Sequence, residues 1–192
     1  MYALEDHKWE YNFSNSQLEV DRYTPKTPLS KHFKFYEMVH SQTADNNQIL
    51  NRPSSYVVNH AKALAQNVLD PVREQFGVVL VNSWFRCETL ERVIAKKGYE
   101  SWCRRNGYAQ TELTWKTYFA RKQHPTGSAA DIEARDPNVS NIEIYNWIKY
   151  NLDFDQLILE NATNLHDPRS GWVHVSYNPF GDNRNEAFLL NV

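Results

Sequence analysis

Two short stretches of this chain carry side chains that can bind a metal ion. His124-Pro-Thr-Gly127-Ser-Ala129-Ala-Asp131 sets an imidazole and a carboxylate seven positions apart, with one of the chain's six glycines between them. Trp172-Val-His174-Val-Ser176 alternates, so in a strand Trp172, His174 and Ser176 share one face and Val173 and Val175 the other. A polar face with a central histidine is what a ligand strand needs. Two neutral imidazoles and one carboxylate suit zinc, and three protein ligands leave the fourth position open for water, as catalytic zinc requires. The bland alternative is a chance placement of polar residues among seven histidines, and it would need spacing, glycine and alternation to coincide. His7, His32, His40 and His60 show no partner pattern and read as surface or core residues.

These residues need a sheet to hold them and helices to cover it. Residues 129–134, 154–160 and 172–177 read as strands, and Val78-Val-Leu-Val81 as a buried one. A helix is predicted over 33–40. A second starts behind Ser54 and Ser55, with Val57, Ala61, Leu64, Ala65, Val68 and Leu69 on one face; Pro71 bends or restarts it and Gly77 closes it. Residues 88–121 suggest two helices punctuated by Gly98 and Gly107, and 141–150 another. Helices first and strands later make an α+β fold. Residues 1–30 read as an N-terminal arm, 31–178 as one domain, and 179–192 as a partly ordered C-terminal extension.

Composition narrows the function classes. The 192 residues carry 21 Lys+Arg against 23 Asp+Glu, a net charge of -2, which gives no electrostatic reason to expect nucleic acid or an anionic membrane as partner. No stretch approaches the roughly 18–20 apolar residues of a membrane-spanning helix. The first ten residues are acidic where a signal peptide starts basic, so export through a cleaved signal is not expected. Cys87 and Cys103 are too few for a disulfide framework or a cysteine-rich zinc site and read as reduced thiols.

The pattern H-x-x-G-x-A-x-D, followed some forty residues later by W-V-H-V-S, resembles the zinc D-Ala-D-Ala carboxypeptidase family, which includes phage endolysins and is structurally related to the Hedgehog signalling domain. The resemblance implies zinc ligation by His124, Asp131 and His174, and an antiparallel sheet carrying the ligands with helices packed on its other face. Asn82-Ser-Trp84-Phe-Arg86 is similar to the family's S-G-Y-R, whose arginine reaches the substrate, which implies that role for Arg86; Trp84 replaces the usual glycine. Leu69-Asp-Pro71-Val-Arg73-Glu-Gln-Phe-Gly77 resembles the helix end leading into that strand. Many members carry their general base two or three positions before the last histidine, where this chain has Gly171 and Trp172. Phe154-Asp-Gln-Leu-Ile-Leu-Glu160 is similar to a strand that ends in a zinc-facing glutamate, which implies Glu160 as the base. Lys122 stands where serine is common, and 97–121 looks inserted.

The implied activity is that of a zinc metallopeptidase acting on peptidoglycan stem peptides, as a carboxypeptidase or an endolysin-type endopeptidase. The expected protein is a monomer, found in a host cytoplasm before release or associated with a virion if phage-encoded. The alternative is a non-catalytic zinc-containing binding or virion structural domain of the same fold. His166 and Asp167 read as solvated loop residues, and Gln123 and Ser176 as more distant site candidates.

Overall fold

Strand alternation decides which side of the sheet is dry. Ala130, Ile132, Leu157, Leu159, Val173 and Val175 point one way and are fully buried, while Asp131, Ile158, Glu160, His174 and Ser176 point the other. The structure, a computed structural model, describes residues 23–164 and 167–190. In chain order the elements are α1 (Phe35–Val39), α2 (Gln42–Asn46), α3 (Ser55–Leu64), a π-helical turn (Ala65–Leu69), α4 (Asp70–Phe76) and β1 (Val79–Ser83). Next come α5 (Glu88–Ile94), α6 (Lys96–Asn106), α7 (Glu112–Phe119), a 3-10 turn (His124–Thr126) and β2 (Ala129–Ala134). Last are α8 (Asn141–Asn151), β3 (Gln156–Glu160), β4 (Trp172–Ser176) and β5 (Glu186–Leu190). The fold is mixed α+β, with strand order β1-β2-β4-β3-β5 among the described residues.

The dry face packs in one core with α3, the π turn, α4 and α8, through Val58, Ala61, Leu64, Val68, Leu69, Val72, Ile144 and Ile148. Burying each such side chain contributes about 1.5–3 kcal/mol, so this face holds the sheet rigid beneath the polar one. Ser54 caps α3, its hydroxyl accepting from the Val57 N–H. The expected break at Pro71 is a π turn instead: the backbone stays helical through Leu64 and Asp70, with Pro71 in the first turn of α4, where its missing N–H is not needed. No helix among the described residues is long and apolar enough to cross a membrane.

Three expectations are corrected. Residues 88–121 hold three helices, and Gly98 lies inside α6. There its missing Cβ admits the Tyr118 hydroxyl, which would sit 2.8 Å from a methyl at that position, so this glycine serves packing and does not end a helix. Gly107, at φ +68°, does cap α6. The sheet is antiparallel except at β5, which pairs in parallel with β3 from Gln156 opposite Glu186 to Glu160 opposite Leu190. Residues 186–190 are therefore an edge strand and no loose extension. Their Phe188, Leu189 and Leu190 stay partly exposed, so local pattern gives no sign of burial, and the strand is held by distant partners. At the other end, residues 30–32 are tied down: Ser30 Oγ and the backbone N–H groups of Lys31 and His32 all donate to the Asp70 carboxylate.

Gly171 shows why an acid cannot stand just before β4. Its φ is +69°, and an added Cβ would lie 2.2 Å from the Glu160 carbonyl oxygen and 2.7 Å from the Ala162 nitrogen. Gly171→Ala is expected to lower stability by about 2 kcal/mol or more, because left-handed strain and a backbone clash add. Gly107→Ala, also left-handed but with nothing within 4 Å, should lose only about 1 kcal/mol. Equal losses in urea unfolding would show that the clash contributes nothing.

Candidate metal centre

Register brings two of the three donors side by side. Asp131 in β2 lies opposite His174 in β4, and His174 lies opposite Ile158 in β3. A bulge between Val81 and Ser83 adds Ser83 to this row, opposite Asp131, and leads β1 into the segment Trp84–Phe85–Arg86 that crosses the site. His124 arrives from the 3-10 turn through Gly127, which has a φ of +78° and sits so close to α3 that an added Cβ would lie 2.6 Å from the Val57 carbonyl oxygen, leaving room for glycine alone. Trp84 clasps that turn twice. Its indole N–H donates to the Gly127 carbonyl at 2.9 Å, and its own carbonyl accepts from His124 Nδ1 at 2.7 Å. Trp84 is fully buried, so the tryptophan in place of a glycine is part of the scaffold that aims His124.

The three donors converge. One ligating atom each from His124, Asp131 and His174 lies within 4.8 Å of the others, and all three residues are buried. His124 Nε2 is 3.3 Å and His174 Nδ1 2.9 Å from the same oxygen, Asp131 Oδ1. The outer ring nitrogens have partners: His124 Nδ1 donates to Trp84 O, and His174 Nε2 faces Gln123 Oε1 at 3.3 Å. Each inner nitrogen therefore meets the same carboxylate oxygen. Such approaches are held by a proton on the imidazole or by a cation among the three groups, and a buried triad of this kind can hold a metal ion. Burial pushes the His124 pKa down, which favours the neutral, ligating form. Burial alone would raise the Asp131 carboxyl, but the charge and hydrogen bonds of the two histidines hold it well below the usual range.

Arg86, expected to reach the substrate, is bonded to one of the three candidate donors, Asp131. Its Nη2 donates to Asp131 Oδ2 at 2.6 Å, its Nε donates to Ser83 Oγ at 2.8 Å, and Nη1 lies 3.6 Å from Glu91 Oε2. Glu91 is almost wholly buried, a carboxylate that no motif in the sequence signalled. Arg86→Met would strand two buried carboxylates, so the metal-free protein is expected to lose about 3–5 kcal/mol of stability. Thermal unfolding in chelator checks this, and an unchanged midpoint would show that the Arg86 contacts to Asp131 and Glu91 add nothing to stability.

Glu160 ends β3 on the site face, one pleat beyond Ile158. Burial raises its carboxyl pKa, and the register sets it opposite Trp172, on the sheet face that His174 shares. Its side chain makes no hydrogen bond among the described residues. Lys122 rests its ammonium 4.4 Å from the Tyr118 ring centroid. Ser176 is not drawn into the centre: its hydroxyl accepts from Gln156 N and ties β4 to β3. Asp167 closes a turn by accepting from Arg169 N, and His7 and His166 lie outside the described residues. His60 pairs through Nδ1 with Ser128 Oγ, His32 lies by Glu74, and His40 by Asp45.

Comparison of the chain with family models, curated proteins and solved structures finds no match.

Proposed function

We propose that the chain is a zinc metallopeptidase that hydrolyses peptide bonds in peptidoglycan stem peptides, as a D-Ala-D-Ala carboxypeptidase or an endolysin-type endopeptidase. The observation that carries the metal reading is the convergence of two imidazole nitrogens on one buried carboxylate oxygen. His124, Asp131 and His174 would hold zinc, whose Lewis acidity polarises a scissile carbonyl and acidifies water near it. Glu160 is the group available to take a proton: it is half-buried, shares the sheet face of His174 and makes no side-chain hydrogen bond or ion pair among the described residues, and its raised pKa moves it toward the range useful near neutrality. The same carboxyl would return the proton to the leaving amine. Arg86 serves Asp131 first, steadying one carboxylate oxygen so that the other faces inward. That leaves Lys122, which forms no ion pair among the described residues, as the cation best able to meet a substrate carboxylate.

The test is mass analysis of stem peptides after zinc-loaded protein has been incubated with purified peptidoglycan. Loss of a terminal D-Ala or a new free amino group is expected, and either one also identifies the bond. The second reading, a zinc-containing binding domain without catalysis, draws on Gly171, where the backbone leaves no space for a side chain three positions before His174. It expects intact stem peptides at full zinc occupancy.

A further inference from the structure

His174 makes its outer contact with a residue that is itself held. Gln123 presents Oε1 to His174 Nε2 at 3.3 Å, and its amide nitrogen donates to Asp155 Oδ2 at 2.6 Å. Asp155 is gripped in turn by the fork of Arg184, with Nε on Oδ1 at 2.7 Å and Nη2 on Oδ2 at 2.8 Å. Arg184 Nη1 reaches Glu186 Oε2 at 3.2 Å, at the first residue of β5. The direction of every bond in this chain follows from its last member. A guanidinium only donates, so the carboxylate that faces it stays ionised and only accepts. The carboxylate accepts from Gln123, so the amide must turn its NH2 to Asp155 and its oxygen to His174. An oxygen there requires the proton on His174 Nε2, which in the neutral ring leaves Nδ1 free to ligate.

We infer that Asp155 and Arg184, acting through Gln123, are positioning residues that fix the ring orientation and tautomer of His174, so that the C-terminal strand is part of the metal centre. This rests on reading His124, Asp131 and His174 as a metal site. Partners of this kind, when removed, typically lower metal affinity by about 10–100-fold with the ligands untouched. The same segment has a second clasp that does not lead to Gln123: Asn183 and Asn185 donate to Asp153 at 2.8 and 3.0 Å. It separates loss of the relay from loss of the strand.

The experiment is competition titration with zinc alone on full-length wild type, Asp155→Asn, Gln123→Met and Asp153→Asn, with imidazole nitrogen NMR on each. Asp155→Asn puts a donor where none stood and frees the Gln123 amide to turn. Gln123→Met removes the acceptor at similar size. Both are expected to bind zinc about 10–100-fold more weakly than wild type and to show a changed His174 ring pattern, while Asp153→Asn keeps wild-type affinity. Wild-type affinity and an unchanged ring pattern in Asp155→Asn would overturn the relay. Equal weakening in Asp153→Asn would also overturn it, by showing that docking of the strand is what matters. A wild type that takes up no zinc would overturn the metal reading itself, an outcome distinct from the other two.

Discussion

His174→Ala is expected to fold and to carry no zinc, and the wild type is expected to carry one ion per chain. The residue faces away from the core, between Asp131 and Ile158, so its removal leaves Val173 and Val175 packed and the β2–β4–β3 ladder intact. What goes is one of three donors, and two donors do not retain an ion against a chelator. Linkage supplies a second readout. An ion that binds only the folded state adds about 2.7 kcal/mol at a hundred times its Kd, so chelator should lower the wild-type thermal midpoint and leave that of His174→Ala unmoved. The drop should stay well short of unfolding, because a core built on the dry face does not depend on the metal. Elemental analysis that finds full zinc in His174→Ala would refute the ligand set.

Glu160→Gln is expected to lower turnover by about 10²–10⁴-fold with zinc fully bound. Gln keeps the shape and cannot accept a proton as a base. Stability supplies the opposite sign. Burial raises the Glu160 carboxyl above its ordinary value of 4.5, so the folded chain favours the protonated form and loses stability as pH rises through the raised pKa. At neutral pH the metal-free Gln variant escapes that loss, and its midpoint should equal or exceed that of wild type. A slower yet no less stable protein is the signature of a functional carboxylate, whereas a strand-end residue facing water would change neither quantity. Wild-type turnover in the variant would move the base elsewhere.

The donors were legible in the sequence because they obey local rules. Alternation placed His174, a scarce glycine marked the turn behind His124, and β2 runs over the residues its pattern marked out, Ala129–Ala134. What escaped is what depends on distant residues. Trp84 looks like a core aromatic until its carbonyl is found on His124, forty positions away. Arg86 reads as a substrate residue by motif, and only the β1 bulge shows that it leans on Asp131. Gly98 has the look of a helix stop, and only Tyr118 explains it as a packing site. Nothing between Glu186 and Leu190 alternates, so its place in the sheet came from β3, thirty residues earlier.

That parallel pairing orders events during synthesis. His124, Asp131 and His174 are all joined to the chain before Arg184 and Glu186, and at about 5–20 residues per second the interval is on the order of a second. In that interval the nascent chain carries all three candidate donors but not the segment that locks Asp155 against Gln123. A chain interrupted before Arg184 would hold those three side chains without the brace behind His174.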